Sequence, residues 1–196
     1  MILRYGGDYR FKNGWDDWKG GYLDGNPENQ TVYTGAYNQR NDYRVDGTSS
    51  MWRILPWADS EEQLKSVSQT KKNQPVLTND VIYLKSAGIR YLDTAGRGCN
   101  DNLLCTSLSR NLPPNTGGWR IRINDSDEAV EIGDWVGLHL QCGRDDWSGG
   151  YLATRGYAQG KNWSGSVPLV LSVSTHERWD GGDDRSATWR VEPSGG

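Results

Sequence analysis

Two segments of the chain combine paired carboxylates with a tryptophan and a glycine pair. Residues 14–23 read GWDDWKGGYL and residues 143–152 read GRDDWSGGYL, so the copies differ only at their second and sixth positions. A carboxylate accepts hydrogen bonds from hydroxyl groups, and an indole face covers the apolar C–H face of a pyranose ring. We therefore predict that both segments bind carbohydrate. The candidate ligand-binding residues are Asp16, Asp17, Trp18, Tyr22, Asp145, Asp146, Trp147 and Tyr151.

The same segments have a simpler interpretation, in which they serve only the fold. Aspartates in a turn can cap backbone N–H groups, and the tryptophan can pack down on the rim of a sheet. Neighbouring residues of an extended chain point apart, so the two carboxylates of each segment are not expected to face one bond. Glycoside hydrolysis needs two carboxyl groups that face the same bond, about 5 to 9 Å apart. The pattern thus favours binding over hydrolysis.

Other polar segments carry weaker candidates. Tyr37 and Trp163 lie among asparagines and glycines and are added to the ligand-binding set, although each could instead pack on the rim of the fold. The acidic segment 179–184, WDGGDD, lacks the spacing and the closing glutamate of an EF-hand, so no metal site is predicted. The two histidines, His139 and His176, belong to no nucleophile or metal-ligand motif. We therefore expect a protein that is not an enzyme and uses no cofactor.

The candidate segments lie within a threefold internal repeat. Each unit ends on a related strand, MWRIL (51–55), GWRIR (118–122) and TWRVE (188–192), and each contains a Tyr-Leu pair. Each unit begins with a short polar step, which we align as Gly7-Asp8, Asn79-Asp80 and Gly133-Asp134. The repeats span about 1–56, 75–124 and 130–193. The polar insertion 57–74 between the first two predicts a surface loop or a short helix with Leu64 and Val67 on one face.

Four short strands are predicted in each unit, which indicates an all-β protein. The alternation in Val136, Leu138 and Leu140 is typical of a strand with one buried face. The predicted strands are 9–12, 21–24, 30–35 and 51–55 in the first unit, 81–86, 90–94, 103–108 and 118–123 in the second, and 135–141, 150–154, 169–175 and 187–192 in the third.

Three units of four strands resemble a β-trefoil, and VIYLKSAGIRYLDT (81–94) is similar to the strand-turn-strand signature of fascin-like and related agglutinin trefoils. The resemblance implies one β-trefoil domain over 1–196, in which six strands close a barrel and three hairpins cap it. Ricin-B-like lectins carry a glutamine two residues before the late tryptophan of each unit. Ser50, Gly117 and Ala187 stand there instead, so ricin-type sugar ligands are not carried over.

Aliphatic residues are scarce, whereas the chain has 10 Trp and 10 Tyr. We therefore expect the late tryptophans, Trp52, Trp119 and Trp189, to form a threefold core layer. In the Tyr-Leu pairs, Leu23, Leu92 and Leu152 are expected to point inward. Tyr22, Tyr91 and Tyr151 are expected to point outward, as is His139.

Charge and composition exclude some classes of binding partner. A net charge of −3 gives no basic surface for nucleic acid, and no apolar run approaches the roughly 20 residues of a membrane span. No signal peptide is visible, so the location stays open between a cytoplasmic protein, one released by a non-classical route, and an exported chain that has lost its signal peptide. Cys99, Cys105 and Cys142 are expected to be free thiols, with a Cys99–Cys105 bridge as the alternative.

The predicted function is that of a lectin with two weak sites for glycans or glycoconjugates, one in the first unit and one in the third. The alternative is a protein-binding trefoil, such as a toxin receptor-binding module or a fascin-like or inhibitor-like protein. The sequence leaves the sugar and the oligomeric state open.

Overall fold

The computed structural model describes residues 1–26, 30–35, 50–86, 90–97, 104–123, 128–140, 150–157, 171–176 and 185–194. Several sequence predictions fall outside these ranges and remain predictions. They concern Tyr37, Asp145, Asp146, Trp147, Trp163, the segment 179–184, Cys99 and Cys142.

The protein is all-β, with few helices, and all twelve predicted strands are present with ends that move by at most three residues. The strands are β1 (Asp8–Asn13), β2 (Tyr22–Asn26), β3 (Thr31–Gly35), β4 (Trp52–Pro56), β5 (Val81–Ser86), β6 (Arg90–Arg97), β7 (Leu104–Ser109), β8 (Trp119–Arg122), β9 (Trp135–Leu140), β10 (Tyr151–Tyr157), β11 (Leu171–His176) and β12 (Trp189–Pro193). Within the described ranges the helices are α1 (Trp15–Trp18), a single turn that contains left-handed residues, and α2 (Glu61–Lys71).

Six strands close a barrel. Around the ring, β1 pairs with β4, β4 with β5, β5 with β8, β8 with β9, β9 with β12, and β12 with β1, each pair antiparallel. The other six strands form the hairpins β2–β3, β6–β7 and β10–β11. Strand β11 also pairs with β3 and β7, which joins the three hairpins. A closed ring leaves the barrel strands without an open edge.

The three late tryptophans lie in the core, as predicted, and each has 0% of its surface exposed. The indole N–H of Trp52 donates to the carbonyl of Leu23 at 2.8 Å, and that of Trp189 donates to the carbonyl of Leu152 at 2.8 Å. The indole N–H of Trp119 makes the same contact to Leu92 at 3.4 Å. Each tryptophan therefore joins the last strand of its unit to the first strand of its hairpin. The prediction that the three leucines point inward is confirmed as well.

A ring of backbone hydrogen bonds joins the segments that lead into the three units. Leu3 N–H donates to Val130 O at 2.7 Å, Val76 N–H to Leu3 O at 2.9 Å, and Val130 N–H to Val76 O at 2.9 Å. All three side chains are fully buried. No lead-in segment completes these bonds alone, so each unit depends on the other two.

The first unit begins one residue earlier than the sequence alignment places it. The N–H groups of Gly6, Asn79 and Gly133 donate to equivalent carbonyls of the last strands, and all three residues have positive φ. The matching steps are therefore Gly6-Gly7, Asn79-Asp80 and Gly133-Asp134. The Gly7-Asp8 alignment is wrong because a left-handed conformation, rather than the aspartate, is the shared feature.

The shift leaves Gly7 where the other units have aspartate. Asp80 and Asp134 each accept a hydrogen bond from the backbone three residues earlier, at 2.9 and 2.7 Å. In the first unit the hydroxyl of Tyr9 accepts that bond instead, from the Arg4 N–H at 2.9 Å. A Cβ at Gly7 would lie 2.7 Å from the Tyr9 ring and hydroxyl. Tyr9 therefore accepts the hydrogen bond that an aspartate at residue 7 would accept, and its ring fills the space that the aspartate side chain would need.

The insertion 57–74 contains the short surface helix that the sequence allowed. Helix α2 begins after Ser60, whose hydroxyl accepts from the Gln63 N–H at 3.2 Å, an N-cap that satisfies one free donor. Leu64 is buried in a small cluster with Ala58, Tyr83 and Tyr91. The helix therefore covers the hairpin of the second unit.

Replacing Trp119 by Ala should lower the free energy of unfolding by about 3 to 5 kcal/mol, since a large buried aromatic and its hydrogen bond are removed. Chemical denaturation measures the change. Trp135→Ala is the matched control, because 49% of Trp135 is exposed, and it should cost no more than about 1 kcal/mol. Equal losses for the two variants would contradict the threefold core.

Gly7→Asp should destabilise the protein by about 1 to 3 kcal/mol, because the new side chain collides with Tyr9. Adding Tyr9→Ile, which recreates the Asp and Ile pair of Asp80 and Ile82, should recover most of the loss. Thermal unfolding of the single and double variants measures this coupling. Purely additive effects would show that Gly7 and Tyr9 do not substitute for the carboxylate.

Candidate functional site

The first Asp-Asp-Trp segment is a tight left-handed turn, not the extended loop that the sequence predicted. Asp16, Asp17 and Trp18 have φ of 44°, 55° and 69°. Left-handed conformations cost roughly 1 to 2 kcal/mol for a residue with a Cβ, although aspartate tolerates them better than most. Such strain persists where surrounding contacts hold it, and it clusters at functional sites.

Buried Asn13 anchors this turn. Its side-chain carbonyl accepts from the Trp15 N–H at 3.1 Å and from the Thr154 hydroxyl at 2.9 Å. Its amide donates to the backbone carbonyl of Ser186 at 2.8 Å. The turn of the first unit is thereby fixed to two parts of the third unit.

The turn places Trp18 against Trp135, the first residue of β9, with ring centroids 5.0 Å apart and ring planes at 57°. Two guanidinium groups lie over these indoles, Arg190 4.9 Å from the Trp18 ring and Arg185 4.9 Å from the Trp135 ring. Trp18 is half-buried and Trp135 is exposed. We call these four residues the Trp18–Trp135 surface.

Carboxylates lie at the rim of this surface. Asp17 is exposed, and its carboxylate is 4.0 Å from the Arg185 guanidinium. Asp16 is also exposed and pairs with Lys19 at 3.2 Å. The left-handed turn therefore places both predicted carboxylates in solvent beside the indole pair. Exposed ion pairs of this kind are weak, so both groups are available to a ligand.

Tyr22 extends the cluster along β2. Its hydroxyl donates to Glu192 Oε2 at 2.7 Å, and Glu192 also pairs with Arg190 at 2.7 Å. Burial first, then the hydrogen bond and charge of Glu192, raise the pKa of Tyr22 to about 12. These contacts link Trp18 to Tyr22 through Arg190 and Glu192.

The equivalent position of the third unit has a different charge. The Tyr151 hydroxyl accepts from Arg122 at 3.1 Å, and its ring lies 4.7 Å from that of His139. Burial, followed by the charges of Arg122 and Arg120, lowers the pKa of His139. His139 lies on the outward face of β9, between inward-facing Leu138 and Leu140, as predicted, and is half-buried in this cluster rather than fully exposed.

In the second unit the equivalent tyrosine, Tyr91, is covered. Tyr91 was expected to point outward, but only 2% of it is exposed, because Tyr83 and helix α2 pack over it. The rings of Tyr83 and Tyr91 meet at 5.8 Å, and the Lys85 ammonium lies 4.4 Å from the Tyr91 ring. The unit that lacks the Asp-Asp-Trp segment thus has helix packing where the first unit has an open surface.

Sequence reasoning missed four members of the cluster: Trp135, Arg185, Arg190 and Glu192. One signal was available for Trp135. Val136 and Leu138 alternate inward along β9, so Trp135 must face outward, and an exposed tryptophan is unusual. Arg190 and Glu192 likewise flank inward-facing Val191 in β12. That these strands meet the turn of the first unit follows only from the closed barrel.

Within the described ranges, no group of three or more His, Cys, Asp or Glu side chains could hold a metal ion. No helix in the same part of the chain is long and apolar enough to cross a membrane.

Comparison with known proteins supports the fold. No protein-family model and no curated protein matches the sequence. An SDF2-like protein from Arabidopsis thaliana superposes with a TM-score of 0.65 at 15% identity, over 97% of this chain and 94% of that one. A Caenorhabditis elegans protein of unknown function gives 0.62 at 15% identity, over 98% and 96%. The binding domain of botulinum neurotoxin serotype D gives 0.61 at 12% identity, over 98% and 42%. These neighbours have β-trefoil-like folds, and at such identities they show the fold alone.

Ionisation of Tyr22 should require a pH near 12. Because folding raises this pKa above its ordinary value of 10.0, the associated stabilisation is complete below pH 10 and is lost as the pH rises through 12. Tyrosinate absorbance of the protein minus that of Tyr22→Phe measures the titration. Glu192→Gln should lower the pKa but leave it above 10.0, since burial is the larger cause. Native Tyr22 titrating at 10 would contradict the described contacts.

Proposed function

We propose that the chain is a single β-trefoil domain of three four-stranded repeats and that it acts as a lectin. The closed ring of six barrel strands, the three hairpins and the repeated Trp-to-Leu hydrogen bonds support the trefoil assignment. A closed barrel is rigid, so its surface turns present side chains in fixed positions.

The observation that carries the proposal is the Trp18–Trp135 surface. Two indoles in contact, one of them exposed, offer an apolar face beside charged hydrogen-bonding groups. Sugar rings combine the matching features, an apolar C–H face and a rim of hydroxyls. In the proposed complex a pyranose stacks on the part of the Trp135 indole that Arg185 and Trp18 leave exposed. Asp17 accepts from its hydroxyls, and Arg185 donates to its oxygens.

The second proposed site is the Asp-Asp-Trp segment of the third unit, formed by Asp145, Asp146, Trp147 and Tyr151. Its support is the duplicated sequence and the equivalent place of Tyr151 in β10. Arg122 replaces Glu192 beside the tyrosine, so the two sites differ in charge. We propose that Tyr37 and Trp163 add contacts to the glycan.

The proposed activity is binding without chemical conversion. The carboxylates of the first segment are exposed and paired with Lys19 and Arg185, rather than enclosed around a reaction site. General acid catalysis by a carboxyl group requires a raised pKa, which burial usually provides. The described turn therefore lacks the enclosure that hydrolysis requires.

A small sugar offers few contacts, so each proposed site should bind it with a Kd in the millimolar to high-micromolar range. Two sites on one rigid domain raise avidity for a glycan-coated surface by about a hundredfold or more if both engage.

Trp135→Ala and Trp18→Ala should each weaken sugar binding by the first site at least about tenfold, because each removes part of the stacking face. Calorimetry with a sugar selected on a glycan array should then report one site instead of two. Adding Trp147→Ala should abolish binding and cell agglutination. Trp57→Ala removes an indole of similar exposure outside the surface and should bind as the native protein does.

Native binding by Trp18→Ala/Trp147→Ala would overturn the proposal. The second candidate function, binding of a protein partner, would then lead. Tryptophan and arginine are the residues most enriched at the energetic centres of protein interfaces, which is the observation that favours it.

A further inference from the structure

A polar pocket of about 480 Å³ lies in the second unit, where helix α2 closes the counterpart of the Trp18–Trp135 surface. Strands β6 and β7 provide most of its lining, and Gln30 from the first unit completes it. The polar residues of the lining are Gln30, Arg90, Asp93, Ser107, Ser109 and Arg110.

Arg90 is the unusual member of this pocket. Only 6% of its surface is exposed, and its Nε finds no hydrogen-bond partner within the described residues. No ion pair to Arg90 is present in that part of the chain either. Burying a guanidinium without an acceptor is costly, so native proteins pair such groups. Among the described residues Arg90 therefore offers this pocket a buried donor without an acceptor, which an anionic ligand would satisfy.

The surroundings hold Arg90 in place. Arg90 pairs with Ser86 in the β5–β6 ladder, and Asp93 faces Ser107 in the β6–β7 ladder. Gln30 is tied to the pocket by its carbonyl, which accepts from the Leu108 N–H at 3.2 Å. The lining is thus preorganised, which reduces the entropy lost on binding.

The buried arginine of this pocket has no counterpart in the other two units. In the first and third units the residue directly before the Tyr-Leu pair is Gly21 or Gly150, with φ of 81° and 71°. In the second unit that residue is Arg90, which lies in a strand. Replacing the Asp-Asp-Trp segment by the short Ser86-Ala87-Gly88 sequence therefore coincides with the gain of a buried cation.

We propose that this pocket binds the carboxylate group of a small acidic molecule. Guanidinium and carboxylate groups match in planar geometry and charge, with Arg90 inside the pocket and exposed Arg110 at its mouth. Ser107, Ser109 and Gln30 offer further hydrogen bonds. The Asp93 carboxylate repels a ligand that carries only anionic groups. It favours a ligand that also carries hydroxyl groups, because these can donate hydrogen bonds to it.

The state of Asp93 is consistent with that ligand. Its Oδ1 accepts from the Thr94 N–H at 2.7 Å, and burial raises its pKa. A partly desolvated carboxylate gains from hydroxyl donors. A sugar acid, with one carboxylate and several hydroxyls, therefore fits the mixed lining better than a plain carboxylate does.

The test uses the full chain carrying Trp18→Ala and Trp147→Ala, so that both proposed lectin sites are removed and the pocket is measured alone. Calorimetric titrations compare glucuronate, glucose and acetate. Glucuronate should bind with a Kd in the high-micromolar to millimolar range, and glucose, which lacks the carboxylate, at least about tenfold more weakly. Acetate shows whether the carboxylate suffices without the ring, and it should bind more weakly than glucuronate but measurably.

Variants of the pocket then locate the binding. Arg90→Lys keeps the charge but removes the Nε donor, and it should weaken glucuronate binding at least about tenfold. Arg110→Ala lies at an exposed position that does not threaten the fold, and it should weaken binding several-fold. Arg53→Ala removes an arginine that pairs with Asp8 outside the pocket, and it should leave the affinity unchanged.

Three results would overturn the assignment: no binding of glucuronate or acetate, equal binding of glucose and glucuronate, or full affinity in both Arg90→Lys and Arg110→Ala. Because the lectin sites are absent from this background, each result is independent of whether the Trp18–Trp135 surface binds sugar.

Discussion

Each buried late tryptophan fixes the barrel to the hairpin of its own unit through one indole hydrogen bond. Trp52, Trp119 and Trp189 fill a core that few aliphatic residues are present to fill. Their N–H groups satisfy the carbonyls of Leu23, Leu92 and Leu152, so barrel and hairpin pack in one fixed relation three times. Surface side chains on neighbouring units acquire their spacing from this core. The contact between Trp18 and Trp135, which joins the first unit to the third, is one result.

Departures from threefold symmetry mark where the surface differs in chemistry. The residue that follows the late tryptophan by three positions is Glu192, Leu55 or Arg122, and it sets the partner of the neighbouring tyrosine. Tyr22 therefore has an acidic partner, and Tyr151 has a basic one. Tyr91 instead lies in an apolar cluster with Leu55 beneath helix α2. The core positions do not vary between the units in this way, because the three buried indoles must pack together inside one barrel. The repeated core thus stabilises the fold, while divergence at exposed positions gives each unit a different surface chemistry.

Much of the fold could be predicted from the sequence because the repeat multiplies each weak signal by three. All twelve strands and the burial of the late tryptophans followed from alternation and from the recurring Trp-x-Ile or Trp-x-Val pattern. The conformation of the first Asp-Asp-Trp segment did not follow, because three successive left-handed residues have no sequence signature. The outward orientation predicted for Tyr91 failed because the packing of α2 is a tertiary contact. Of the candidate site, Asp16, Asp17, Trp18 and Tyr22 were identified. Arg190 and Glu192 in β12, and Arg185 just before that strand, are far away in the chain and could not be assigned to the site.

If the Trp18–Trp135 surface binds glycan as proposed, the three core tryptophans hold the fold and take no part in binding. Indole N–H signals in a ¹⁵N-labelled sample test it directly, since Trp18 and Trp135 can be assigned by single substitution. On titration with a sugar identified by glycan array, these two signals should shift together along one saturable curve. The signals of Trp52, Trp119 and Trp189 should stay in place. Saturable binding that leaves Trp18 and Trp135 unmoved would contradict the account.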